Sequence, residues 1–334
     1  MSERAGTNRR AFFGRAWRDA LAAAPKPFAV AAGMGDPPQA EPVPAPEPPR
    51  FSPALAAPPQ PATGGMTLDD LLAQTVTVGL DGRAEAIRSL ARWSVRLTPA
   101  PGGRSQLGGF PGLARDVEWP AVEGRPLAFL AQIDLTQGAA ASPLPPAAGC
   151  LLFFADVDGT ASGTAVDGRV LLTSTLAADP RDRPPLPGPV ESPQSLEHSL
   201  ELSLPRVWSA PVEALDLRDV ERDGWQELRA WLAERQRVEL HDRTAGFLAL
   251  HRLLGYPDET GGDMPLSCEL LAAGAVLDEP YPRMHPLARA LEPRAERWRL
   301  LLQLSVGGVE RVYFWIASED LDAAEFSRVR VIRR

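Results

Sequence analysis

The chain has 334 residues, with 35 basic against 43 acidic groups and a formal charge of −8. Apolar residues make up 44% and charged ones 23%, the proportions of a globular domain. Lys26 is the only lysine, which excludes lysine chemistry from the rest: no phosphate-cradling G-x-x-x-x-G-K-[ST] loop, no Schiff base, no pyridoxal phosphate anchor. The acidic balance argues against nucleic acid as a partner, and no apolar run reaches the ~18 residues that cross a bilayer.

Residues 1–35 carry six basic and two acidic groups, the reverse of the chain as a whole. Within them, residues 11–24 pattern as an amphipathic helix, with Phe12, Phe13, Trp17 and Leu21 on one half and Arg15, Arg18 and Asp19 on the other. Three readings stand side by side: a disordered tail, a twin-arginine export signal around Arg9-Arg10, and a helix that docks on a protein partner or a membrane surface. Charges at Arg15, Arg18, Asp19 and Lys26 interrupt the uncharged stretch that an export signal needs, so docking is preferred. Residues 36–65 hold 11 of the 35 prolines and are expected to be an extended, disordered linker.

From residue 66 to 334 the pattern becomes that of a folded body. Helices are expected near 67–74 and 83–92, then strands near 93–97, 127–135, 149–157 and 169–175. A proline-rich loop covers 180–193, and a helix with Trp225, Leu228, Trp231 and Leu232 on one face spans 222–237. The end of the chain reads as a helix at 266–273, strands at 298–305 and 310–316, a helix at 318–325 and a strand at 327–333. Strands and helices do not alternate, so the expected class is α+β with largely antiparallel sheets and flanking helices. Cys150 and Cys268 are far apart and without metal spacing, which fits buried thiols in a reducing, cytoplasmic setting.

An internal repeat is visible. Phe129-Leu-Ala-Gln132-Ile-Asp134 followed by Leu151-Leu-Phe-Phe154 matches Leu300-Leu-Leu-Gln303-Leu-Ser305 followed by Val312-Tyr-Phe-Trp315. Upstream, Leu107-Gly-Gly-Phe-Pro111 matches Leu254-Gly-Tyr-Pro257. Two pseudo-repeats, roughly 85–195 and 240–334, are therefore expected to complete one sheet and core. Gln132 and Gln303 are polar residues inside apolar strands, and each must pin neighbouring backbone or face a cavity.

Several blocks in order resemble the YwqG-like family: Leu107-Gly-Gly-Phe-Pro-Gly-Leu113, Glu118-Trp-Pro120, Pro126 to Asp134, His251-Arg-Leu-Leu-Gly-Tyr-Pro-Asp258, Gly262-Asp-Met264, Trp298 to Gln303 and Val312 to Ile316. The resemblance covers about 85–334. It implies an internally duplicated α+β domain and a role in protein interaction rather than a known reaction. The chain departs from the pattern after Gln303, where Ser305 replaces an acidic residue and a longer loop shrinks to Val306–Arg311.

The candidate site is a cleft between the halves, with His251, Tyr256, Asp258 and Asp263 on one wall and Gln132, Asp134, Glu118 and Trp119 on the other, and Gln303 as the second buried amide. As an alternative to binding, His251 with Asp258 and Asp263 would serve acid–base chemistry in a small-molecule or hydrolytic enzyme. A turn whose aspartate caps the next helix is the structural reading of the same loop. Trp119, held by Pro120, reads as a core plug. Arg92, Arg96 and Arg104 read as solvated charge. The four histidines lack ligand spacing, so neither a metal nor a cofactor is expected.

Overall fold

The structure is a computed structural model that describes residues 66–136, 149–157, 165–174, 176–177, 192–236, 251–258, 263–277, 281–306 and 310–334, all within the unit Phe51–Arg334. The amphipathic peptide and the proline-rich linker lie outside the described residues, as do most of the loop at 180–193 and His241. In chain order the first half contains α1 (Leu68–Thr77), α2 (Ala84–Leu90), β1 (Arg92–Pro99), β2 (Ser105–Leu107), β3 (Ala121–Val122), β4 (Arg125–Pro126), β5 (Ala128–Asp134), β6 (Cys150–Ala155), β7 (Ala165–Val166) and β8 (Gly168–Thr173). There follow β9 (Gln194–Ser203), α3 (Ala210–Glu213), α4 (Asp219–Arg235), β10 (His251–Leu254), α5 (Met264–Ala272), α6 (Ala288–Ala295), β11 (Trp298–Val306), β12 (Glu310–Ala317), α7 (Ser318–Asp322) and β13 (Arg330–Arg333).

Eleven strands form one sheet in the order β8-β6-β5-β2-β9-β1-β10-β11-β12-β13-β7. Every neighbouring pair is antiparallel. Only Asp167 separates β7 at one end of that order from β8 at the other, so the sheet comes back on itself and nearly closes into a barrel. The chain is thus a mixed helix and strand protein built on one large antiparallel sheet.

Alternation along the strands divides the apolar residues between two faces. The interior cluster includes Val95, Leu107, Ile133, Phe153, Leu302 and Phe314, and the rings of Phe153 and Phe314 meet edge to face with centroids 5.1 Å apart. On the outer face, α5 covers Trp298, Leu300, Tyr313 and Trp315 through Met264 and Cys268. Trp119 and Leu113 cover Phe129, Leu152 and Phe154 in the same manner. Helices α1 and α4 pack over Leu202 and Leu204 with Trp225 at their centre. Gly224 permits this packing, because a Cβ there would lie 2.3 Å from the Val78 carbonyl oxygen.

Registers on the two sides of the β9–β1 pair run in parallel. On β5–β6, Phe129 faces Phe154 and Gln132 faces Leu152, with a bulge between Phe129 and Ala131. On β11–β12, Leu300 faces Trp315 and Gln303 faces Tyr313, with a bulge between Leu300 and Leu302. Gln106 pairs with Gln132 on one side, as Arg252 pairs with Gln303 on the other. After β2, Gly108 and Gly109 have φ of 64° and 71°; after β10, Leu254 and Gly255 have 59° and 72°. Each buried glutamine then holds the turn beyond: Gln132 Oε1 accepts from the Gly112 amide at 2.9 Å, and Gln303 Oε1 from the Asp258 amide at 2.8 Å.

The predicted helix at 222–237 begins three residues earlier, at Asp219, and the one at 318–325 ends at Asp322. Eight elements were not anticipated, among them the short β2, β3, β4, β7 and α3. Strand β9 follows a proline-rich stretch that reads as loop, although Leu196, Leu200 and Leu202 alternate within it. Strand β10 is too short for a periodic signal, and α6 is highly charged and contains Pro293.

Gln303→Leu leaves the Asp258 amide buried without its acceptor, a loss of about 1–3 kcal/mol. Gln132→Leu is expected to cost less, because Gly112 is only half-buried and water can replace the amide oxygen. Urea unfolding of the two variants checks the order.

Candidate functional site

The turn after β10 sets the geometry. A Cβ on Gly255 would lie 2.5 Å from Ser203 Oγ and 2.6 Å from Ser94 Cβ, so only glycine fits there at φ 72°. The turn places the Tyr256 ring against the Arg92 guanidinium, 4.4 Å from carbon to centroid, and turns Asp258 inward. Asp258 is ion-paired with Arg206 and with Arg311 Nη1, the latter at 3.0 Å, and all three side chains are largely buried. Its carbonyl oxygen accepts from the Tyr313 hydroxyl at 3.2 Å. Burial opposes the charge on Asp258, but Arg206 and Arg311 outweigh it and hold the carboxyl below its ordinary range.

A second buried pair lies beside the first. Arg252 Nε donates to Glu201 Oε1 at 2.7 Å, and Arg252 Nη1 donates to the Tyr256 carbonyl at 3.0 Å. Arg229 bonds the Leu204 carbonyl through Nε, and its pKa is pulled down to about 10, first by burial and then by Arg206. Four guanidiniums, those of Arg206, Arg229, Arg252 and Arg311, therefore gather around two buried carboxylates, Glu201 and Asp258.

Over this cluster opens a cavity of about 640 Å³, within the range of small-molecule sites. Its walls include the aromatic side chains of Trp208, Tyr256, Tyr281, Trp298 and Trp315, and the charges of Arg92, Arg206, Arg283 and Arg299. Three buried polar atoms of lining residues make no hydrogen bond: Arg206 Nε, Tyr256 Oη and Trp315 Nε1. Burial raises the Tyr256 hydroxyl pKa, so it remains a neutral donor. A smaller pocket of about 370 Å³ lies beside β7 and β8, where Arg125 and Asp156 already satisfy one another at 3.0 Å.

Of the residues expected in the cleft, Tyr256 and Asp263 line the cavity, and Asp258 stands behind its wall, bound to Arg206. Asp263 caps α5 by accepting from the Leu266 amide at 3.2 Å and lies 3.4 Å from Arg283; burial pushes its carboxyl up. The second wall does not assemble there. Gln132 is engaged by Gly112, and Asp134 is bound by Arg104 at 2.7 Å and by Thr136. Glu118 is exposed, while Trp119 is buried and donates to the Leu127 carbonyl at 2.9 Å. Gln303 is fully buried beneath Asp258.

His251 is buried, and its Nδ1 accepts from the Ser305 amide at 3.3 Å. Among the described residues no hydrogen bond links it to Asp258 or Asp263. One hydroxyl does meet a histidine: Ser105 Oγ lies 2.7 Å from His198 Nε2. That serine is fully buried and already accepts from the Asp134 amide, so it is closed to a substrate. Also among the described residues, no three His, Cys, Asp or Glu side chains converge as metal ligands, and no helix is long and apolar enough to cross a membrane.

The residues that sequence reasoning missed are Arg206, Trp208, Arg299 and the placement of Trp298 and Trp315 in one wall. Arg92 was visible but was read as solvated charge. No spacing links Arg92 to Arg299, which lie near opposite ends of the folded body and meet only through the order β1-β10-β11.

Burial lowers the His251 pKa from 6.5 to about 4. The unfolded chain then binds the extra proton between these values, so stability rises with pH across that window. It is fully present above pH 6.5 and is expected to fall by about 3 kcal/mol as the pH drops to 4. Urea titrations from pH 7 to 4.5 should show this slope, and His251→Leu should remove most of it.

A family described as a domain of unknown function, DUF1963, matches residues 105–333, from β2 to β13. No curated protein matches the chain. The match spans well over half of the sequence, and the chain belongs to the DUF1963 family.

Proposed function

We propose that the chain is a binding domain whose ligand site is the cavity above the buried arginine cluster. The linker at 36–65 joins it to an amphipathic peptide at 11–24, which docks on a protein partner or a membrane surface. The observation that carries this reading is the cavity itself, about 640 Å³ and walled by five aromatic side chains and four arginines, a size and lining that suit a small ligand.

Two further proposals accompany it. The matching registers, bulges and glutamine contacts support an internal duplication of the kind that the YwqG-like resemblance implies. Cytoplasmic residence is supported by cysteine usage: neither Cys150 nor Cys268 forms a disulfide, and burial pushes the Cys150 thiol up to about 11. The enzymatic alternative draws no comparable support, since His251 is engaged by backbone and Asp258 by two arginines.

A neutral solvatochromic dye, Nile red, tests the cavity as a site. Saturable binding to the full chain is expected, with its loss in Ala210→Trp, a substitution at a half-buried lining position. Equal binding by both forms would remove the cavity from the reading. The docking peptide is tested by co-purification from the native cell with and without residues 1–35. A protein partner or membrane fraction recovered only with the full chain is expected, and unchanged recovery would sink the tether.

A further inference from the structure

We infer that the cavity takes a small organic anion with a planar ring, its negative group held by Arg92 and Arg299 and its ring laid among the tryptophans and tyrosines. The inference rests on the cavity being a binding site and names the chemistry of its ligand.

The first observation is unmatched charge. Among the residues lining the cavity, Arg283 is engaged by Glu213, Asp263 and Glu292, and Arg206 by Asp258. Arg92 and Arg299 make no ion pair among the described residues, although both are only half-exposed. Both line the same cavity, and the pKa of Arg92 is lowered, first by burial and further by Arg299, against the opposing pull of Tyr256 and Glu296. Two guanidiniums held together without a shared carboxylate attract a bidentate anion, since the planar fork matches both carboxylate and phosphate.

The second observation is independent of those two side chains. Of the cluster only Arg206 lines the cavity, but behind it four guanidiniums gather around two buried carboxylates, a local excess of positive charge; the lining itself carries Asp263, Glu292 and Glu296 against four arginines. Such a field in a low-dielectric wall concentrates anions. It arises although the chain as a whole is at −8, so the local charge is not a by-product of composition.

The third observation concerns the ring. Trp298 and Trp315 are buried in the wall, while Trp208 and Tyr281 stand 53% and 61% exposed at the rim. Exposed aromatic side chains beside a cavity with arginines offer stacking faces for a flat apolar body. Arg206 already lies over Trp208, 5.3 Å from carbon to centroid, and Arg92 over Tyr256.

Four probes with one ring and different charges test the inference on the full chain by tryptophan fluorescence and calorimetry. They are benzoate, phenyl phosphate, neutral benzamide and cationic benzylamine. One or both anions are expected to bind at least about tenfold more tightly than benzamide, and benzylamine more weakly still. Benzoate against phenyl phosphate decides which anion the fork prefers. Arg299→Gln should cost the anions about tenfold or more while leaving benzamide and Nile red unchanged. Arg92→Gln should do the same; should that variant fail to fold, Arg299→Gln decides. An unchanged anion-to-benzamide ratio in Arg299→Gln, or a preference for benzylamine, would overturn the inference while Nile red still reports a binding cavity. Failure of Nile red and all four rings to bind would overturn the cavity reading and the inference together.

Discussion

The buried carboxylate of Asp258 holds the site together. It is ionised in a place where burial alone would neutralise it, because Arg206 and Arg311 approach it from two sides. Arg311 fixes it to β12 and Arg206 to the segment that carries Trp208, while the Asp258 backbone N–H donates to Gln303 Oε1 and so ties the same residue to β11. Removing one member of a buried ion pair strands the others, at a cost of several kcal/mol. The cavity wall is therefore specified by electrostatics inside the sheet rather than by contacts across the opening. The same constraint explains why the turn before Asp258 tolerates a left-handed Leu254, a strained conformation for a branched side chain.

Under the proposed duplication, the two halves of the sheet share a frame but not a chemistry. The register places Gly112 where the other half has Asp258, Cys150 where it has Arg311, and Leu152 where it has Tyr313. Phe110 occupies the place of Tyr256 and is 59% exposed, whereas Tyr256 is buried under Arg92. Both glutamines keep their backbone partner, so that contact belongs to the frame. Among the described residues, the charged cluster and its cavity occur on one side only.

Much of the frame was legible in the residues. Apolar runs located β1, β5, β6, β8, β11 and β12, several of which are buried on both faces, and helical spacing located α1, α2 and α4, which bury one face and so repeat with the period of their backbone. Strands β9 and β10 were not legible, since one follows a run of prolines and the other is four residues long. Yet β9 pairs with β1 at the centre of the sheet. β1 lies outside the stretch matched by the family and still contributes Arg92 to the cavity. The site was half legible: Tyr256, Asp258 and Asp263 follow from a Gly-Tyr-Pro-Asp turn whose composition already draws notice. His251 and Gln132, which drew notice for the same reason, are held by backbone amides in the interior.

The sequence by itself determined that residues 1–35 are basic, residues 36–65 rich in proline and the remaining body acidic with mixed helix and strand patterning, because composition, charge and periodicity are local properties. It also determined that lysine chemistry is absent from that body. Tertiary structure alone decided which arginines are spent on carboxylates and which are left over. Arg92, Arg206 and Arg299 are indistinguishable from surface charge until β1, β10 and β11 lie side by side. Whether a guanidinium is matched depends on distances set by strand order, and strand order is fixed only when the whole sheet closes.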